Sequence, residues 1–144
     1  MLFQKSELLS RRSDDSCSDE NMYFSKYNVQ LNPTVKRRYQ LEMARTPSQQ
    51  EMGLSDRRCM PADGALVFLF PVDDVFGIWM KNMHFSIDVL WLDKDKKVVY
   101  IEKNMNPESY PTVYRPKVDA RYVIELNAGE ADKLGANIDT VLQW

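Results

Sequence analysis

Residues 65–93 read ALVFLFPVDDVFGIWMKNMHFSIDVLWLD, and they form the most apolar part of the chain. The apolar runs are rich in β-branched and aromatic residues and are separated by turn-forming residues, a pattern typical of strands rather than helices. The pattern predicts strands near 65–70, 75–80 and 85–92. Asp88 lies inside the last of these runs, where a carboxylate is costly to bury unless it is paired or hydrogen-bonded.

Alternation of apolar and polar residues extends the prediction toward the N-terminus. Residues 23–31 and 35–43 both alternate with period two, which predicts two strands joined by a turn at Asn32. The residues that follow carry the elements of a capping box, so we predict a short helix that starts at Thr46 and ends at Gly53.

Toward the C-terminus, three further runs predict strands, namely 98–102, 121–126 and 138–144. The charged residues 93–97 predict a turn that joins the strands 85–92 and 98–102 as a second hairpin. A second short helix is predicted with Asn127 as its N-cap and Gly135 as its end. Residues 104–120 form a long proline-containing loop. About eight strands and two short helices predict a mainly β fold, a single-domain sandwich of jelly-roll type or a partly closed barrel.

Composition limits the classes of protein that need be considered. A chain of 144 residues with a net charge of −2 predicts one domain and gives no electrostatic footprint for nucleic acid. No apolar stretch reaches the length of a membrane span. Residues 1–21 are polar and predict a disordered tail, with the domain at 22–144. The N-terminus lacks a signal-like apolar run, so we expect a cytoplasmic protein; a chain whose leader has been removed would read the same and would be exported.

The cysteine and histidine counts exclude several kinds of site. With two cysteines in the chain and Cys17 in the polar tail, we expect no fixed disulfide and an inert thiol at Cys59. The single histidine and the lack of a CxxC pair predict no metal site. Nothing in the sequence indicates a cofactor.

Three segments together resemble a known family. They read ARTPSQQEMGLSDRRCMPADGALVFLF (44–70), IWMKNMHFSIDVLWLDKDKKVV (78–99) and ARYVIELNAGEADKLG (120–135). Over about residues 35–144 the chain resembles the small prokaryotic "uncharacterised ACR" family, domain of unknown function 192. The resemblance implies a small, mainly β domain that is often exported, and it implies no activity. The chain departs from the family pattern at Ser86, where proline is usual, and at His84, where an apolar residue is usual.

The best candidate binding surface is formed by Trp79, Lys81 and Asn82. A tryptophan, a cation and an amide at a strand end can stack on and hydrogen-bond a polar ligand. Trp79 and Met80 should point to opposite sides, so only one of them can line a cleft. The alternative is that the tryptophan belongs to the core and that Lys81 and Asn82 only make a turn.

Asp88 and Arg45 complete the set of candidate ligand-binding residues. Asp88 either binds a ligand or accepts backbone amides from the turn at 81–83 or from the proline-containing loop. Arg45 either pairs with Asp88 or Glu125, binds an anion or is solvated.

These residues predict a non-catalytic binding or accessory module for a small polar or sugar-like ligand. One alternative is an enzyme that uses Asp88 as acid or base with Lys81 or Arg45. A second alternative is a module that binds a protein partner through an exposed apolar face.

Overall fold

A computed structural model describes Cys17 and residues 24–144, and its main feature is one open sheet. The strands are β1 (Lys26–Val29), β2 (Tyr39–Ala44), β3 (Gly64–Asp74), β4 (Ile87–Leu92), β5 (Val98–Met105) and β6 (Ala120–Asn127), and the α-helices are α1 (Pro47–Met52) and α2 (Glu130–Leu134). The six strands lie in the order β1-β2-β3-β6-β4-β5. β2 and β3 run parallel, whereas every other neighbouring pair is antiparallel.

The turns and the helix cap recognised in the sequence form as predicted. β1 and β2 pair as an antiparallel hairpin, and β4 and β5 pair as a second hairpin around the turn at Asp93. Asp93 Oδ1 accepts hydrogen bonds from the amides of Asp95 and Lys97. At α1, Thr46 is the N-cap of the predicted capping box, and the helix ends at Gly53. Local residue chemistry therefore determines these elements.

The predicted strand at 75–80 is wrong, and the reason lies in the neighbours of β3. β3 continues through the predicted break at 71–74, and its two edges are hydrogen-bonded to β2 and β6. Residues 75–80 therefore find no free sheet edge beside β3. They lie instead against the proline-containing loop, where Ile78 makes one isolated bridge with Tyr114.

The mainly β fold and the two short helices are confirmed, but the eight strands and the sandwich or barrel are not. The predicted last strand, 138–144, contributes one isolated bridge, between Val141 and Lys97. Within residues 24–144 there is a single sheet, and it does not close. An apolar run looks the same in sequence whether a second sheet or a helix covers it, which is why the pattern predicted a sandwich.

Helices and loops bury both faces of the sheet. One face packs with α2, and its buried side chains include Leu41, Val67, Leu90, Ile124 and Leu134. The opposite face packs with the segments around Leu54 and Met80, and its buried side chains include Leu66, Phe68, Val89, Trp91 and Val123. All six residues of β4 are buried as a result.

Asp88 lies on the α2 side of β4, where it is only 1% exposed. Its carboxylate accepts hydrogen bonds from the amides of Asn104 (2.9 Å), Gly129 (3.0 Å) and Ala131 (2.9 Å). Asn104 belongs to β5, which extends past the predicted start of the proline-containing loop, and the turn at 81–83 provides no partner. Asp88 thus ties the end of β5 to the start of α2.

The start of α2 differs from the prediction because Asp88 caps it from another strand. The N-cap is Gly129, with φ of 91° and no side-chain cap, rather than Asn127. Asn127 ends β6 instead and donates its side-chain amide to the carbonyl oxygens of Met60 and Pro61. The predicted end of the helix at Gly135 is confirmed.

Cys17 and Cys59 form a disulfide, so the expectations of no fixed pairing and of a free thiol at Cys59 are wrong. The two residues are 42 positions apart in the chain, and spacing alone did not indicate that the tail returns to this loop. Apart from Cys17, the predicted disordered tail at 1–21 lies outside the described residues.

Replacing Asp88 with alanine should strongly destabilise the fold, because three backbone amides, that of Ala131 buried and the other two partly buried, would lose their acceptor. Hydrogen bonds to charged groups contribute about 1.5–3 kcal/mol each, so we expect Asp88→Ala to lower the free energy of unfolding by at least about 3 kcal/mol in urea denaturation. Asp93→Ala is the matched control, because Asp93 also accepts backbone amides but in a partly exposed turn. The control should lose about 1 kcal/mol. Equal losses for the two variants would contradict the role given to Asp88.

Candidate functional site

A cleft of about 320 Å³ lies between α1 with its following loop and the loop that contains Trp79. The lining residues are Ser48, Glu51, Met52, Ser55, Asp56, Trp79, Lys81 and Asn82. Two hydrogen bonds join the walls: the Asp56 amide donates to the Asn82 carbonyl at 2.9 Å, and Ser55 Oγ donates to the Lys81 carbonyl at 3.2 Å. The backbone of both walls is therefore held in place.

Trp79 is the large aromatic side chain of this cleft and is 46% exposed. Met80 beside it is buried in the core, as the alternation of side chains predicts. Lys81 Nζ lies 5.4 Å from the centre of the Trp79 ring, and the Tyr110 ring lies at the same centre-to-centre distance at an angle of 59°. An exposed indole thus has a cation and a second aromatic ring as neighbours.

Asn82 shapes the wall opposite α1 through its backbone. Its φ of 57° is in the left-handed region, which asparagine tolerates better than most residues. The Met83 amide donates to the Met80 carbonyl across this turn. This turn orients the Asn82 carbonyl toward Asp56 and leaves the Asn82 side chain exposed at the cleft.

A smaller chamber of about 60 Å³ adjoins the cleft and shares Glu51, Met52, Ser55 and Trp79 with it. The rest of its lining consists of Gly53, Leu54, Gly77, Ile78, Met83 and Glu125. Most of these are apolar or glycine, so Glu125 is the notable polar group in the chamber. The chamber therefore combines apolar side chains with two carboxyls, of which Glu51 is exposed and Glu125 is buried.

Glu125 is 5% exposed, and its Oε2 has no hydrogen-bond partner among the residues that the structure describes. Burial raises the pKa of this carboxyl from 4.5 to about 8, although the charge of Arg57 acts in the opposite direction. Glu125 is therefore mainly protonated at neutral pH. Such a group in a cavity is typical of functional sites.

A buried ion pair lies near Glu125 on the same sheet face. Glu42, Leu66 and Glu125 are in register on β2, β3 and β6, so the backbones at the two glutamates are about 10 Å apart at the usual strand spacing. Arg57 makes two hydrogen bonds to the Glu42 carboxylate, at 2.6 and 2.9 Å, and both side chains are fully buried. Glu42 thus neutralises most of the guanidinium charge.

The structure brings together three of the five predicted site residues. Trp79, Lys81 and Asn82 line one cleft, whereas Asp88 lies on the opposite face of the sheet, beside α2. Arg45 is exposed, and its guanidinium contacts the Met43 sulfur at 2.9 Å. Of the alternatives for Arg45, the structure shows an exposed side chain and no pairing with Asp88 or Glu125.

Glu125 was absent from the predicted site, although the sequence carries a signal for it. It stands between Ile124 and Leu126 in a strand, the same pattern of an acid among apolar residues that drew attention to Asp88. The pattern does not show which of the two acids finds partners after folding. Only packing separates the saturated Asp88 from the under-satisfied Glu125.

The raised pKa of Glu125 should make stability fall as pH rises. The folded protein keeps a proton that the unfolded chain releases above pH 4.5, so the favourable contribution is complete below that pH and is lost up to about pH 8. Relative to the wild type, Glu125→Gln should therefore gain up to about 5 kcal/mol across this window. Urea denaturation at a series of pH values measures the difference.

Glu51→Gln is the matched control, because Glu51 lines the same chamber but is exposed on α1. Its stability difference from the wild type should change little with pH. If the Glu125→Gln difference were equally flat, the carboxyl would not be the buried, protonated group described above.

Known proteins resemble this chain in sequence and in fold. The chain is 38% identical over 82 residues to a UPF0127 protein of Thermococcus sibiricus and 33% identical over 82 residues to one of Thermococcus gammatolerans. Each match covers 56% of this chain and 51% of the relative, so the chain spans about half the length of the curated relatives it matches.

Two solved structures share the fold. One is a proposed transcription regulator from Sinorhizobium meliloti 1021, with a TM-score of 0.72 and 31% identity over 78% of this chain and 88% of that one. The other is a protein of unknown function from Novosphingobium aromaticivorans, with a TM-score of 0.75 and 26% identity over 83% of this chain and 85% of that one.

A family model described as "Uncharacterized ACR" matches residues 29–144. This range runs from the end of β1 through every later strand and helix, and it includes all the residues of the cleft and the chamber. The resemblance seen in the three sequence segments is thereby confirmed, and the chain belongs to the uncharacterised ACR family, domain of unknown function 192.

Proposed function

We propose that this protein is a non-catalytic binding module whose cleft takes a small, neutral, sugar-like ligand. The observation that carries the proposal is the exposed Trp79 ring in a cleft whose other lining residues are mostly polar. A large aromatic ring left in contact with water beside hydrogen-bonding groups is a common feature of ligand sites. The volume of about 320 Å³ is at the lower end for such sites, which suits a small ligand.

The chemistry of the lining favours a molecule rich in hydroxyl groups. Ser48 and Ser55 offer hydroxyls, Asn82 offers an amide, and Glu51 and Asp56 offer carboxylates. These groups can donate to and accept from several hydroxyls at once. The apolar face of a sugar ring can pack on the Trp79 indole while its hydroxyls reach the polar wall.

The charges in the cleft favour a neutral ligand over an anion. Two carboxylates, Glu51 and Asp56, stand against the single cation Lys81. Lys81 is also drawn to the Trp79 ring, since its Nζ lies 5.4 Å from the ring centre. A phosphate or carboxylate ligand would face a net negative lining.

Trp79→Ala should weaken saccharide binding about five- to thirtyfold, because loss of one aromatic contact costs about 1–2 kcal/mol. The measurement is isothermal titration calorimetry of the protein with a panel of neutral mono- and disaccharides. Trp144→Ala is the matched control, because Trp144 also has a lysine over its ring, with Lys96 Nζ at 4.2 Å, but lies outside the cleft. Binding should survive in the control. Equal weakening in both variants, or no binding to any member of the panel, would contradict the proposal.

The alternative of an enzyme based on Asp88 has little support from this geometry. The sheet separates Asp88 from Lys81, and Arg45 does not pair with Asp88. The Asp88 carboxylate is also occupied by three backbone amides, which leaves it poorly placed for proton transfer to a substrate.

A second candidate function is protein docking, and a group of exposed valines favours it. Val72, Val75, Val113 and Val118 are each at least 36% exposed and lie in β3 or in the segments that flank it and β6. Exposed apolar groups of this kind are typical of interaction surfaces when they are contiguous.

We expect no nucleic-acid partner, because the net charge is −2. Within residues 24–144, no helix is long and apolar enough to cross a membrane.

The disulfide favours an oxidising compartment over the cytoplasm, because disulfides persist mainly in secreted or periplasmic proteins. We therefore expect Cys17 and Cys59 to resist alkylation when protein from its native cells is treated without reductant. Mass spectrometry of the cysteine-containing peptides measures this. Alkylation of both cysteines before reduction would favour the cytoplasmic location instead.

A further inference from the structure

We propose that the chamber beside the cleft is a subsite that receives a neutral hydroxyl-bearing arm, such as the hydroxymethyl group of a sugar or polyol, on the Glu125 carboxyl. The inference deepens the proposed function, since the chamber adjoins the same cleft and shares Trp79, Glu51, Met52 and Ser55 with it. It adds a specific group of the ligand and a residue that recognises it.

The unsatisfied oxygen of Glu125 is the first observation behind this proposal. Buried polar atoms in folded proteins nearly always have a hydrogen-bond partner. Glu125 Oε2 has none among the described residues, although the side chain is 5% exposed and lines the chamber. Asp88 and Glu42, by contrast, accept several hydrogen bonds each. A ligand group in the chamber could give the Glu125 carboxyl, whose side chain lines it, a hydrogen-bond partner.

The size of the chamber limits what can enter it. A volume of about 60 Å³ holds roughly two water molecules at their share of liquid volume. A sugar ring is too large, whereas a carbon and its hydroxyl oxygen fit. The side chains of Leu54, Ile78 and Met83 would contact the carbon, and the Glu125 carboxyl would contact the oxygen.

The charges around the chamber favour a hydroxyl over an ammonium group. The guanidinium of Arg57 is already matched by Glu42, and burial keeps Glu125 protonated near neutral pH. A protonated carboxyl both donates and accepts, which suits a hydroxyl. An ammonium group on Glu125 would meet a carboxyl that carries no charge to pair with it unless that proton is displaced. Glu51, an exposed carboxylate, lines both the chamber and the cleft, whereas Asp56 and Lys81 line the cleft.

The test uses two small probes of similar size, ethane-1,2-diol and ethylammonium, near neutral pH. The protein carries ¹³C-labelled methionine methyl groups, and Met83 and Met52 report on the chamber because both line it. We expect a saturable shift of the Met83 methyl signal with the diol and a weaker or non-saturating response to ethylammonium. No saturable shift with the diol, or tighter binding of ethylammonium, would overturn the proposal.

Two substitutions at Glu125 separate the carboxyl from the general shape of the chamber. Glu125→Leu replaces the hydrogen-bonding group with an apolar side chain that suits a buried position. We therefore expect diol affinity to fall at least tenfold. Glu125→Gln still donates and accepts and should keep most of the diol affinity. Unchanged diol affinity in Glu125→Leu would overturn the subsite.

Failure of the Glu125 subsite can be distinguished from failure of saccharide binding in the cleft. Saccharide binding that depends on Trp79 but is unaffected by Glu125→Leu would overturn the subsite and leave the binding module standing. Diol binding that depends on Glu125, with no saccharide bound by the cleft, would support the subsite and overturn the sugar-like ligand.

Discussion

Burial of β3, β4 and β6 on both faces is the constraint on which the rest of this structure depends. A sheet covered on both sides leaves no water for an ionised group in its centre, so each acid there must be paired, hydrogen-bonded or protonated. Three acids meet this requirement in three ways. Asp88 accepts three backbone amides, Glu42 binds Arg57, and Glu125 stays protonated because burial raises its pKa.

The three solutions have different consequences for the molecule. The hydrogen bonds of Asp88 join β4, β5 and α2, so its carboxylate holds elements that are far apart in the chain. The pair of Glu42 and Arg57 connects β2 to the loop after α1 in a similar way. Within the described part of the chain, Glu125 Oε2 has no hydrogen-bond partner, and the side chain lines the chamber. The first two carboxylates are therefore parts of the scaffold, and the third is the one that a ligand could engage.

Family membership supplies the fold, whereas the proposed function rests on particular side chains. One fold can carry many activities, so a TM-score of 0.72 to the Sinorhizobium protein does not transfer a role in transcription to this chain. The proposed ligand would contact Trp79 and Lys81 in the cleft and Glu125 in the chamber. The same residues decide whether the proposal survives.

The local elements of the fold could be predicted from the sequence because their causes lie within a few residues. Period-two alternation predicted β1 and β2, an aspartate turn predicted the hairpin of β4 and β5, and a capping box predicted α1. Alternation also indicated that only one of Trp79 and Met80 would face outward. The candidate surface at Trp79, Lys81 and Asn82 came from the same local pattern.

Only the tertiary structure decided which segments meet. β3 pairs with β2 and β6, so the run at 75–80 has no sheet edge beside β3 to join, and its Trp79 lines the cleft. The partners of Asp88 and the pairing of Cys17 with Cys59 come from positions 16 to 43 residues away in the chain. An acid between apolar neighbours reads the same at Asp88 and at Glu125, because a pattern along one strand contains no information about the atoms that pack against it. By itself the sequence determined where strands, turns and caps form, and long-range packing decided which acid is saturated and which one faces a cavity.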